Sequence, residues 1–224
     1  MEGSFAGIPL ATMVALGALT ILPFAFMTAT SFVKISVVFS ILRNALGAGQ
    51  VPSGGIVTAL AAILTLYVMA PVGGQIVDAS APAVARIDRV DPLSTTDAVL
   101  EAIELGVAPL RSFLERNADA RERRLFLDLA RRARPADQRD QVSESDLLVV
   151  LPAFVITELS EAFQIGFLVF IPFLVVEMVV ANVLLALGMS MLSPTQVSMP
   201  FKLLLFVLVD GWYLLSRALV LGYA

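Results

Sequence analysis

Cysteine and histidine are both absent from the 224 residues. Without cysteine there are no disulfides, no thiol nucleophile and no Cys/His metal site. Without histidine the commonest general base is missing, and with it every Ser-His or Cys-His catalytic arrangement. Charge is also scarce: 15% of residues are charged, against about 25% in soluble domains. Apolar residues are correspondingly abundant, at 58%, and the mean hydropathy is +0.87. This composition excludes an ordinary water-soluble globule, and equally a disordered or fibrous chain. It reads as a polytopic helical membrane protein.

The few charges are partitioned. Residues 1–77 contain three: Glu2, Lys34 and Arg43. Residues 78–148 contain 14 acids and 11 arginines, and residues 149–224 contain only Glu158, Glu161, Glu177, Lys202, Asp210 and Arg217. A polar insert thus sits between two membrane-compatible parts. The predicted organisation is N-terminal hydrophobic helices over 1–74, a polar helical insert over 75–146 and C-terminal hydrophobic helices over 147–224.

The first uncharged run, about Ile8 to Ala29, is long enough to span a bilayer. It reads as a span rather than a cleavable signal, because no Lys or Arg precedes it. Residues 31–46 read as a helix carrying Lys34 and Arg43. A second span, about Ile56 to Val72, is predicted to close at Pro71, Gly73 and Gly74. Leu147 to Leu192 is about twice a spanning length and is interrupted by Glu158, Ser160, Glu161 and Gln164, which predicts two helices or a broken one. A last span is expected from about Pro200 to Val220. In the insert, Ser94–Asp97 offers N-caps, Pro109 suits a first helical position, and a helix from Asp119 ends by Pro135. Lys34 and Arg43, read as cations of the first short connection, place that connection in the cytoplasm and the insert outside it.

Several groups merit a chemical reading. The arginines Arg121, Arg123, Arg124, Arg131, Arg132 and Arg134 alternate with acids, so a solvated helix face outweighs binding of nucleic acid or anionic lipid. Glu158, Glu161 and Gln164 recur every three residues and share a helical stripe, suited either to proton relay or to a polar helix contact. Glu177, Lys202, Asp210 and Arg217 lie inside apolar segments. A charge at the bilayer centre costs about 2.5–3.5 kcal/mol on insertion scales. Ion pairs within the chain, ion pairs between subunits and pore lining are all compatible with them. Met189 and Met191 sit in a turn after Gly188. In a monomer they pack, whereas in a ring they form a deformable collar. No metal cluster, nucleotide fingerprint or cofactor motif is present, and none of these ligands is expected.

Two long motifs carry a resemblance. Pro152-Ala-Phe-Val-Ile-Thr-Glu-Leu-Ser-Glu-Ala-Phe-Gln-Ile-Gly-Phe167 closely resembles one hallmark of the FliP/SctR family of type III secretion export apparatus subunits. Pro200-Phe-Lys-Leu-Leu-Leu-Phe-Val-Leu-Val-Asp-Gly-Trp-Tyr213 is similar to the other. Residues 173–182 and Ser-Phe-Val-Lys-Ile at 31–35 also resemble the family pattern. The resemblance implies an all-α protein of membrane-associated helical hairpins. It further implies assembly into a ring-shaped helical cone of five copies with SctS/FliQ-like and SctT/FliR-like subunits, and contact with an SctU/FlhB-like subunit. Unfolded secreted proteins would pass through the centre. The loop matching Met189, Ser190 and Met191 would form a gasket, with Ser190 departing from the methionine many members have. Glu158, Glu161, Gln164, Glu177, Lys202, Asp210 and Arg217 would hold helices or subunits together. The injectisome branch is expected rather than the flagellar one, in the bacterial inner membrane with the insert periplasmic, with no enzymatic activity and no nucleic-acid partner. The rival reading is an ion or small-molecule transporter using the intramembrane carboxylates.

Overall fold

In a computed structural model, described for residues 17, 20, 23–47, 52–86 and 92–223, every regular element is helical. The elements are α1 (Phe32–Ala45), α2 (Gly54–Val84), α3 (Pro92–Asn117), α4 (Ala120–Arg132), a short 3-10 turn (Ala136–Gln141), α5 (Leu147–Ala186), α6 (Pro194–Leu208) and α7 (Gly211–Leu221). Residues 23–28 are also helical. The rest of the first predicted span, and Ala224, lie outside the described residues. Among those described, α2 and α5 are each long and apolar enough to cross a membrane, and α6 with α7 makes a third such segment bent by 61°.

The chain divides into two compact units, residues 1–30 with 69–157 and residues 31–68 with 158–224. The predicted boundary at 74 therefore falls inside α2. In the first unit, Leu114, Val149, Val150, Ala153 and Phe154 are buried, with Phe113 edge-on to Phe154 at 5.7 Å. Asp119 caps α4 by accepting from the Arg121 amide at 2.7 Å, and its own amide donates to Thr157 Oγ1 at 2.9 Å. Leu127, Val142 and Val149 form a small core under α4. Arg121, Arg124, Arg131 and Arg132 of α4 are exposed, with Arg132 paired to Asp128 at 2.8 Å, whereas Arg123 is half-buried and its Nε is buried without a hydrogen-bond partner among the described residues.

The second unit is built on α1. Ile35, Val38, Phe39 and Leu42 recur at helical spacing, so they share one face and are fully buried. They pack with Val57 and Ala61 of α2, Ala162 and Phe173 of α5, Phe206 of α6, and Leu215 and Leu219 of α7. Gly166 is the close-approach point: a Cβ there would lie 2.3 Å from Ile41 Cδ1.

The structure corrects four element boundaries. The helix expected to close at Pro71–Gly74 runs on to Val84 through Pro71 and Pro82. Proline removes one backbone donor, and an apolar helix has no solvent to replace its remaining internal hydrogen bonds, so it continues. The stretch expected to break near Glu158–Gln164 is one 40-residue helix, because its carboxylates find partners without unwinding. Pro109 and residues 94–97 lie inside α3, not at a helix start. The last span is broken where none was expected, at Asp210, whose φ of 52° is left-handed. Aspartate is one of the few non-glycine residues that tolerates this conformation. Gly211 fixes the elbow, since a Cβ on it would sit 2.1 Å from the Phe206 ring. Asp210 and Arg217 therefore do not share one continuous helix.

Candidate functional site

Three features of the second unit concentrate its polar and unsatisfied chemistry. The first surrounds Lys34, which the sequence reading puts on a helix in the first short connection and the structure buries in α1, at 4% exposure. Its Nζ lies 3.0 Å from Glu158 Oε1 and 2.6 Å from Glu161 Oε2. The Tyr223 hydroxyl donates to Glu158 Oε2, and Lys34 Nζ sits 4.2 Å from the Tyr223 ring centroid. One cation, two carboxylates and a phenol thus tie α1, α5 and the end of the chain together. Burial, followed by the negative charge of Glu158, holds the Tyr223 phenol well above its ordinary pKa. Tyr223 is therefore held in its protonated, donating form beyond the pH at which a free phenol ionises. Glu158 is fully buried, whereas the Glu161 side chain is 48% exposed to solvent. Breaking a buried pair by removing one partner costs about 3–5 kcal/mol, whereas an exposed pair is worth about 0–1 kcal/mol. Glu158 is therefore the partner that makes Lys34 structurally necessary.

The second feature joins α5 to α6. Lys202, buried, donates to Glu177 Oε2, and Thr195 Oγ1 donates to Glu177 Oε1 at 2.6 Å. The turn after α1 closes over this pair: Gly47 has φ 69°, and a Cβ on it would meet Thr195 Cγ2 at 3.2 Å and Lys202 Nζ at 3.9 Å.

The third is the turn from α5 to α6. Gly188 (φ 71°) ends α5 in a Schellman arrangement, with the Met189 amide donating to the Leu184 carbonyl and the Gly188 amide to Leu185. Pro194 opens α6 at its first position. The intervening residues have few backbone options, and their side chains are driven outward. Met189 is 46% exposed and Met191 97% exposed, with Ser190 exposed between them. Full burial of such a side chain is worth about 1.5–3 kcal/mol, none of which Met191 gains within the subunit.

The predicted polar residues therefore separate. Glu158 and Glu161 meet on Lys34, and Glu177 meets Lys202. Gln164, Asp210 and Arg217 are exposed and make no side-chain contact with another charged group among the described residues. Three participants were not found from the sequence as site residues: Lys34, Thr195 and Tyr223. A lysine inside the apolar face of α1 was a usable signal. Tyr223, 65 residues from its partner Glu158, gave none.

The FliP family model matches residues 15–219. The Yop proteins translocation protein R of Yersinia pestis is 44% identical over 211 residues, covering 94% of each chain. The hypersensitivity response secretion protein HrcR of Ralstonia nicotianae is 42% identical over 92% of this chain and 93% of its own. The virulence protein YscR of Salmonella typhimurium is 39% identical over 92% of this chain and 93% of its own.

Proposed function

The chain belongs to the FliP family, and from that premise we propose that it is a structural subunit of a type III protein secretion export gate, of the virulence or symbiosis type. The observation that carries this reading is the 44% identity, along 94% of the chain, to a protein named for Yop translocation. Its place is the bacterial inner membrane, with the polar insert on the periplasmic side. Five copies form a ring with SctS/FliQ-like and SctT/FliR-like subunits, beside an SctU/FlhB-like subunit, and the ring surrounds the path of unfolded secreted proteins. The subunit supplies a passive conduit and neither binds nucleic acid nor catalyses a reaction.

The geometry supports a division of labour. The Lys34–Glu158–Glu161 and Glu177–Lys202–Thr195 clusters hold α1, α5 and α6 of one subunit in register. Gln164, Asp210 and Arg217 are left for groups outside the subunit. Met189, Ser190 and Met191 project from a short, backbone-constrained turn, as a gasket requires: a fixed base and soft, deformable side chains. Five such turns around a pore form a hydrophobic constriction. The transporter alternative needs Glu158, Glu161 and Asp210 as an ion path, but Glu158 and Glu161 are engaged by Lys34 and Tyr223, which leaves Asp210 alone.

Deletion of the gene in its host tests the assignment. The reading expects loss of all secretion through the associated apparatus, restored by the wild-type gene in trans. Normal secretion from the deletion strain contradicts it.

A further inference from the structure

The two ends of the methionine turn are held differently. Its start is fixed by local backbone bonds: the Met189 amide donates to the Leu184 carbonyl at 2.9 Å, and the Leu192 amide donates to the Met189 carbonyl at 3.3 Å. Its end lacks the usual local device. Ser193 stands at the N-cap of α6, where a serine side chain ordinarily accepts from a first-turn amide, yet it makes no side-chain cap bond. The anchor lies two residues on. Thr195 Oγ1 donates to Glu177 Oε1 of α5 at 2.6 Å, across 18 positions of sequence. The other Glu177 oxygen accepts from Lys202, so the carboxylate is itself held in place. It also lies beside the first turn of α6, where the helix dipole favours an anion. Gly47 closes the far side. A Cβ there would meet Thr195 Cγ2 at 3.2 Å, so the turn after α1 seats the methyl while the hydroxyl faces Glu177. Packing cannot substitute for this anchor, because Met191 is 97% exposed.

We propose that Thr195 is a positioning residue for the gate. Its bond to Glu177 pins the exit of the Met189–Met191 turn to α5, and that anchor sets where the two methionines stand. For its effect on the pore the inference rests on the gasket reading. For its effect on the turn it rests on the subunit's own geometry.

The absence of cysteine allows single-site labelling. A spin label on Ser190→Cys reports the turn, and one on Val183→Cys, exposed within α5, reports the helix it leaves. Thr195→Val keeps the side-chain shape and removes the donor. A lost hydrogen bond to a charged group corresponds to about a tenfold population change or more. The ratio of mobile to immobile label at position 190 should therefore rise about tenfold, with position 183 unchanged. Thr195→Ser keeps the hydroxyl and should restore the immobile spectrum. In the assembled gate, Thr195→Val should leak small ions and Thr195→Ser should not. Unchanged mobility at position 190 in Thr195→Val, or an equal rise at position 183, overturns the proposal. So does an ion-tight Thr195→Val gate beside a leaking Met189→Ala/Met191→Ala gate. If both gates are ion-tight, the gasket reading fails and takes the sealing role of Thr195 with it, while the label at position 190 still decides the anchor.

Discussion

Replacing Lys34 by Met isolates what the buried cluster contributes. The substitution preserves length and apolar packing in α1 but strands the Glu158 carboxylate, which is fully buried and left with only the Tyr223 hydroxyl. Removing one partner of a buried pair costs about 3–5 kcal/mol, a large part of a domain's total stability of about 5–15 kcal/mol. Distance alone would rank Glu161 first, since its oxygen lies 2.6 Å from Nζ against 3.0 Å for Glu158. Burial reverses that order: the half-exposed Glu161 is screened and is worth under about 1 kcal/mol. A double-mutant cycle reads both. Lys34→Met/Glu158→Gln should recover at least half of the Lys34→Met loss, because the stranded charge is gone. Lys34→Met/Glu161→Gln should recover almost none. The assay is the thermal midpoint of the detergent-solubilised protein followed by tryptophan fluorescence. Equal recovery in the two double mutants, or additive single losses at Glu158, would refute the claim that burial governs the cluster.

Gly211→Ala forces a methyl group into the Phe206 ring. Overpacking of this kind costs about 1–3 kcal/mol. Because the single tryptophan, Trp212, lies edge-on to Phe206 at 5.2 Å, its emission should shift, and an unchanged spectrum would contradict the fixed elbow. Met189→Ala with Met191→Ala should leave subunit yield intact, since Met191 is 97% exposed. The closed pore should then leak small ions in a conductance assay, and an ion-tight assembled double mutant would remove the gasket. Tyr223→Phe should destabilise by about 1.5–3 kcal/mol, the range for a hydrogen bond to a charged group. The raised pKa of Tyr223 means the folded state keeps a proton that the unfolded chain loses near pH 10, so wild-type stability should fall as pH rises above about 10. Urea midpoints from pH 8 to 11 should show that fall in the wild type and a flatter profile in Tyr223→Phe.

The three-way partition of charge and the helical character of both apolar parts were legible in the sequence, because lipid-compatible composition leaves helices as the one way for such segments to satisfy their backbones. Helix ends were legible only where local chemistry dominates. Asp119 before α4 and Pro194 at the start of α6 behave as their side chains demand. Pro71, Gly73 and Gly74 suggested a stop in α2, and Glu158 with Glu161 suggested one in α5, but tertiary context overrode both. Lys34 lies more than 120 positions from its carboxylates, and no periodicity connects such distant residues. The elbow at Asp210 was hidden because aspartate rarely takes a left-handed conformation, and the close Gly211–Phe206 approach beside it is a packing contact that no local pattern announces. The methionine turn was found as a candidate from its residue types. Its outward projection follows from the Gly188 termination and the Pro194 start.

The central claim is that this subunit acts as one member of a multi-subunit export gate. Co-expression with the small membrane proteins encoded beside it, followed by native mass spectrometry of the intact detergent complex, tests that claim most directly. The account predicts a single assembly containing five copies of this chain with both smaller partners bound. A monomer or dimer that ignores those partners would contradict it.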